Sequence, residues 1–315
     1  MQEKDLIIEQ LKAKAQYFAC GGYLSTLDAL HRAEIYNSLG YERLERKNSY
    51  ITEYFEELGR DWPATFYTML LRTMGGMDNK EAFVALSKEV PYAAIMREKG
   101  TPQNIETMLI GASGLLELYP HDEYILNLKR NYEYLAIKYS LKALSPSQWK
   151  LKHIYPNNNP ILRLSQVTTL LAYTPNLMDR ILECRTAKDV HTLFAVETQP
   201  YWQKHYTPAS DSATVAKRLG HTKSDLLAIN LVAQMQFAYG SYVDSEKLRA
   251  RALALLEDVK AETNSIISRW KSYGPIIRNA FDSQAILQLT FEYCQKERCA
   301  ECPVGRRIVH KMLNK

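Results

Sequence analysis

Tyr41-Glu-Arg-Leu-Glu-Arg-Lys-Asn-Ser-Tyr-Ile-Thr-Glu-Tyr-Phe-Glu-Glu-Leu58 decides the class of this fold. Leu44, Ile51, Tyr54, Phe55 and Leu58 recur at steps of three, four and seven. They therefore share one side of a 3.6-residue helix, and the charged residues take the other. A strand would need an apolar residue at every second position, and this stretch has no such alternation.

The same texture extends in both directions. Leu6, Ile7, Gln10, Leu11, Lys14 and Ala15 predict an amphipathic helix near the N-terminus. Phe66, Met69, Leu70 and Met74 predict another, stopped by Gly75-Gly76. Asp78 or Asn79 then caps a run holding Phe83, Leu86 and Val90. Thr101-Pro102 opens a further helix through Ile105, Met108, Leu109 and Leu116, with proline at its first position. Residues 121–139 form the next. Ser145-Pro-Ser147 and Tyr155-Pro-Asn-Asn-Asn-Pro160 are the richest turn-forming stretch. Helices resume at 161–173 and 177–184, break over 199–222, and return at 223–239, 246–256, 264–270 and 283–294. No run alternates like a sheet strand, and no repeat of 30–45 residues stands out. The expectation is an all-α, compact multi-helix assembly in two lobes, residues 1–150 and 151–315.

Hydrophobic residues make up 46% and charged residues 24%, enough for one large core or two medium ones. Met-Gln-Glu-Lys-Asp-Leu6 carries acids and no apolar run, which excludes a secretory signal. No window approaches the roughly 18 consecutive apolar residues of a membrane span. Five cysteines is an odd count, and three of them cluster, which argues against a disulfide framework and for a reducing, cytoplasmic setting.

That cluster is Tyr293-Cys294-Gln-Lys-Glu-Arg-Cys299-Ala-Glu-Cys302-Pro-Val-Gly-Arg306-Arg307. Thiolates are soft ligands, and two of them separated by two residues reach one ion. Cys20, Cys184 and His310 are the candidates for a fourth ligand. Cys20 is the preferred one, because it staples the first helix to the last. Zinc is the preferred metal and an iron–sulfur cluster the alternative. Two readings without metal stay open: ordinary cysteines at a helix end, and a redox pair of Cys299 with Cys302.

The same tail concentrates charge. Residues 294–315 hold six bases (Lys296, Arg298, Arg306, Arg307, Lys311, Lys315) against two acids, which accounts for four of the chain's net charge of +5. Such a tail is compatible with contact to the phosphates of DNA or RNA through Arg306 and Arg307. It is equally compatible with bases at the negative end of a helix dipole. Two further groups are candidate ligand contacts. Asn279, Gln284 and Gln288 form a polar stripe, the glutamines being four apart on one helix face. Arg163 and Gln166 lie in the first turns of the helix after Asn159-Pro160, where open amides and a guanidinium suit an anion.

His205 lies beside Trp202 and Tyr206 with no carboxylate or serine at a recognisable catalytic spacing. There is no glycine-rich phosphate loop and no zinc-protease histidine pair. Three functions stay open: a nucleic-acid-binding module with a structural metal, a protein-interaction scaffold, and an enzyme with its groove near Arg163, His205 and Gln284.

The stretch Asn279-Ala-Phe-Asp-Ser-Gln-Ala-Ile-Leu-Gln-Leu289, followed by residues 292–305, resembles the C-terminal signature of an uncharacterised bacterial family common in Bacteroidetes, domain-of-unknown-function family 2851. Tyr41-Glu-Arg-Leu-Glu-Arg-Lys47, Gln103-Asn-Ile-Glu-Thr-Met-Leu-Ile-Gly-Ala-Ser-Gly114, Asn159-Pro-Ile-Leu-Arg-Leu-Ser-Gln166 and Phe237-Ala-Tyr-Gly240 agree with it. The resemblance implies an N-terminal region resembling a restriction-endonuclease core, which this chain lacks, together with its carboxylates. Ala112-Ser113 stands where that family has a glutamine.

Overall fold

The decisive stretch forms the C-terminal part of a 29-residue helix, with Leu58 as its C-cap. The computed structural model describes residues 6–9, 18, 20–119, 122–208, 210–215 and 217–313. Gln10, Leu11, Lys14, Ala15 and His121, each part of a predicted helix, fall outside the described residues.

After α1 (Gly21–Ser25), the long helix is α2 (Ala29–Glu57). Asp28 opens it by accepting the amide of His31 at 2.9 Å. Asp61 does the same for α3 (Trp62–Glu89), accepting from Ala64 at 3.0 Å. The expected stop at Gly75-Gly76 is a kink inside α3: Gly76 takes φ 63°, a left-handed conformation that glycine adopts without strain. Then come α4 (Tyr92–Arg97), α5 (Pro102–Ala112) and α6 (Glu123–Tyr139). The turn-rich segment follows, then α7 (Pro160–Tyr173), α8 (Leu177–Glu183) and α9 (Ala187–Leu193). A hairpin of two short antiparallel strands, β1 (His205–Thr207) and β2 (Ser210–Asp211), occupies the second predicted break.

Two late rods contain π-turns. α10 (His221–Leu227) passes through a π-turn at Ala228–Val232 into α11 (Ala233–Tyr242). After α12 (Glu246–Asp258) and α13 (Ser265–Ser272), α14 (Ala280–Gln288) runs into a π-turn at Leu289–Cys294. The wider turn re-aims the residues beyond it, which is why such turns recur at functional positions. The last helix is α15 (Pro303–Leu313). The described chain is thus nearly all α-helical.

The larger core joins Phe66, Leu70 and Phe83 of α3 and Ile105 and Leu109 of α5 to Leu164 of α7 and Val232. The smaller joins Phe18, Leu24, Tyr36 and Leu39 to Ile267, Trp270, Ile286, Cys302 and Ile308. Both cores draw on residues from either side of position 150. Between them, α2 lies along α14, and that junction positions the site.

Candidate functional site

Arg43, Arg46 and Lys47 stand at i, i+3 and i+4 on α2, so they share a face. That face meets the glutamine stripe of α14. Arg43 donates through Nε to Oε1 of Gln284 at 2.6 Å, and Gln284 passes the polarity on through Nε2 to Glu262 at 2.9 Å. Arg46 donates to Oε1 of Gln288 at 3.2 and 3.3 Å and lies 3.7 Å from Glu292. Nε2 of Gln288 is buried and has no hydrogen-bond partner.

The polar line continues away from α14. Lys47 donates to Oδ1 of Asn230, in the first π-turn, at 3.0 Å. Arg72 of α3 donates to the Tyr50 hydroxyl at 2.8 Å and lies over that ring, 4.7 Å from its centroid. Lys223 of α10 donates to the carbonyls of Thr73 and Met74 at 2.8 and 3.3 Å. The kink at Gly76 exposes those carbonyls as a helix end, so an ammonium is the fitting cap. Arg163, buried in the first turn of α7, donates to Gln166 at 2.8 Å and Asn158 at 2.7 Å.

These residues form one basic seam across α2, α3, α7 and α10. Lys47, Arg72, Lys223 and Asn230 are half-buried, so the seam is recessed yet open to solvent. Among the described residues, no salt bridge reaches Arg43, Lys47, Arg72, Arg163 or Lys223; their partners are amides, a hydroxyl and carbonyls. The electrostatic cost shows in their proton affinities. Burial, then the charge of Arg163, pushes the Lys223 ammonium down to about 7. Burial and then Arg43 push Lys47 well below the ordinary lysine range, against the opposing pull of Glu262. Burial lowers Arg163 to about 10, and burial followed by Arg46 does the same to Arg43.

The other residues singled out from sequence fall as follows. Asn279 caps α14 by accepting the Asp282 amide at 2.9 Å. Gln166 turns its amide to the Lys217 carbonyl at 3.0 Å. Arg163 and Gln284 sit at the two ends of the seam. His205 lies on β1, which packs beside α7; its ring stacks on Tyr201 with centroids 4.1 Å apart, and Nε2 lies 2.8 Å from Asp211. It therefore does have a carboxylate partner, which sequence spacing had not disclosed. Asp225 meets His191 at 2.6 Å.

In the basic tail, Arg307 pairs with Glu34, Arg298 with Glu301 and Lys296 with Glu292. Arg306 is exposed. Among the described residues of the tail, three of its five cations are paired with carboxylates.

Cys20, Cys294 and Cys302 belong to the smaller core, whereas Cys299 packs beside Ile7, Ile8 and Val309. Cys20, which precedes α1, and Cys294, which ends the second π-turn, share a hydrogen bond. Cys302 is close enough to feel both Cys20 and Cys299, and its sulfur accepts the backbone amides of Gly305 and Val304. Burial raises the Cys302 thiol to about 11. The bond with Cys294, then burial, raises Cys20 well above the ordinary thiol range. Cys184 is buried in the larger core, and His310 is exposed on α15. Among the described residues, no three His, Cys, Asp or Glu side chains are already disposed to hold a metal ion.

One buried carboxylate escaped the sequence reading. Glu106 of α5 accepts from Tyr124 at 2.5 Å and from Trp202 Nε1 at 2.6 Å, and burial raises its proton affinity. Tyr124 stacks on Tyr201 with centroids 4.0 Å apart, which clamps the hairpin segment to α5 and α6. A glutamate in an apolar helical run was the available signal.

No helix of the described chain is long and apolar enough to cross a membrane. No curated protein matches the chain, and neither does any solved structure. Residues 3–265 match the family described as protein of unknown function (DUF2851); the match takes in the α2, α3, α7 and α10 portions of the seam and ends before the cysteine-bearing segment. With most of its length inside that match, the chain belongs to the DUF2851 family.

Proposed function

We propose that the chain is a helical binding module whose basic seam holds a nucleic-acid backbone. The observation that supports this reading is the row of recessed cations from four helices facing neutral partners. Burying a cation without a counter-charge is costly, and an incoming phosphate supplies that charge. The glutamine and asparagine amides add donors for phosphate or base edges. Half-buried cations suit a flexible single strand better than a rigid duplex, because a single strand bends into a recess. The net charge of +5 favours encounter with a polyanion.

The test is fluorescence anisotropy of the whole chain with labelled single-stranded DNA, single-stranded RNA and duplex DNA over a range of salt. The expected result is binding at micromolar protein in low salt, tighter for single strands, weakening steeply as salt rises. Replacing Lys47 and Arg72 with glutamine weakens it. Absence of binding at micromolar protein in low salt overturns the reading. Co-purification of a stoichiometric protein partner, without nucleic acid, would instead favour the scaffold.

A further inference from the structure

We infer that the outer face of α6 is a docking surface for a second copy of this chain, joined as an antiparallel helix pair. The inner face of α6 is already occupied: Ile125, Leu128 and Leu135 are buried in the larger core. The opposite face carries Glu123, Leu126, Arg130, Glu133, Ile137 and Ser140, all exposed. Their steps are three, four, three, four and three. That is the heptad spacing by which two helices keep one seam in contact along their length. A surface helix ordinarily turns polar residues to water there. Here Leu126 is 42% exposed and Ile137 83%.

Single exposed aliphatics are common on any surface; the order of this line is what singles it out. Reversed about the midpoint between Asn131 and Tyr132, the line is its own complement. Leu126 falls opposite Ile137 and Arg130 opposite Glu133, with Glu123 and Ser140 at the ends. A two-fold axis through that midpoint therefore forms each pair twice, apolar with apolar and cation with carboxylate. A parallel pairing would set Arg130 against Arg130 and Glu133 against Glu133, which like-charge repulsion disfavours.

The two central charges are the ones left for a partner. Among the described residues, Arg130 donates to Asn127 of its own helix, and neither it nor Glu133 forms an ion pair. The lysines beside them are taken up within the chain: Lys129 lies 3.9 Å from Glu117, and Lys138 lies 2.7 Å from Glu98. α6 has 17 residues and is about 25 Å long. One helix pair of that length is a small interface, which puts the dimer in the weak, reversible class. The face stands apart from the basic seam on α2, α3, α7 and α10, and the inference does not rest on nucleic-acid binding.

The test is sedimentation equilibrium of the whole chain, with circular dichroism as the check on folding. The expected result is a monomer at about 5 μM that becomes largely dimer by about 300 μM. Ile137→Glu is expected to abolish the dimer. Arg130→Glu and Glu133→Arg each set like charges against one another at the centre, and each should weaken self-association at least about tenfold. In an equimolar mixture of those two single variants, every antiparallel cross pair joins opposite charges, so the mixture should regain the wild-type dimer. A wild-type chain that stays monomeric at about 300 μM overturns the inference and leaves the face to a different partner. A dimer that Ile137→Glu leaves intact, or a mixture no more associated than its two components, overturns it as well.

Discussion

In the tail, Arg307 faces Glu34 and Lys296 faces Glu292; in the seam, Lys47 faces an asparagine and Lys223 faces two carbonyls. By residue count the tail is the basic part of this protein. By partner, the seam is. Paired charges on a surface contribute little and attract little, because each partner screens the other. Recessed charges without a carboxylate keep their field, and the low-dielectric surroundings strengthen it. Formal charge therefore locates cations, and only their neighbours say which remain available to a ligand.

The largest expected effect separates the two regions by binding. Reversing both seam charges, Lys47→Glu with Arg72→Glu, should weaken single-strand binding about 100-fold at low salt and lower the salt slope by about two. Reversing Arg306 and Arg307 should change affinity less than about twofold, since Arg307 is already paired with Glu34 and exposed surface charges attract little. Equal losses in anisotropy titrations would abolish the distinction.

The next effect concerns the tail alone. Gly305→Ala drives a methyl group against the Cys299 carbonyl and should destabilise the chain by about 2 kcal/mol, read from urea unfolding. A neutral outcome would mean that the turn relaxes freely.

A smaller effect belongs to the seam. Lys223 has a folded value of about 7 against an ordinary 10.5, so between those limits the unfolded chain binds more protons. Stability should accordingly rise as pH goes from about 7 towards 10.5 and be flat in this contribution below 7. Lys223→Met should flatten the slope; urea midpoints at several pH values decide this. Nucleic acid bound beside Lys223 should also draw a proton onto the protein near pH 8, visible by calorimetry in buffers of different ionisation enthalpy.

The smallest effect is Arg307→Ala, which should shift stability by no more than about 0.5 kcal/mol, because its pair with Glu34 is a surface one. A loss several times larger would place that pair among the determinants of the tail.

Local chemistry was legible wherever the cause is local. The period of Leu44, Ile51 and Phe55 gave α2, Thr101-Pro102 marked a helix start, and Gly75-Gly76 marked the interruption in α3. Cysteine spacing exposed Cys294, Cys299 and Cys302. Gln284 and Gln288 were visible as a stripe, but not that the arginines of α2 lie opposite. Asn279, a candidate ligand contact by sequence, also caps α14. Nothing local distinguishes Lys47, Arg72 and Lys223, because one basic residue on an amphipathic helix looks like any other.

The sequence by itself determined that this chain is helical and where the helices begin and stop, since periodicity, caps and glycine act within a few residues. Only the tertiary structure decided which charges are answered and which are not. That depends on pairs far apart in the chain, Arg43 with Gln284 and Lys223 with Thr73, and solvation is fixed by whatever packing brings to the same place.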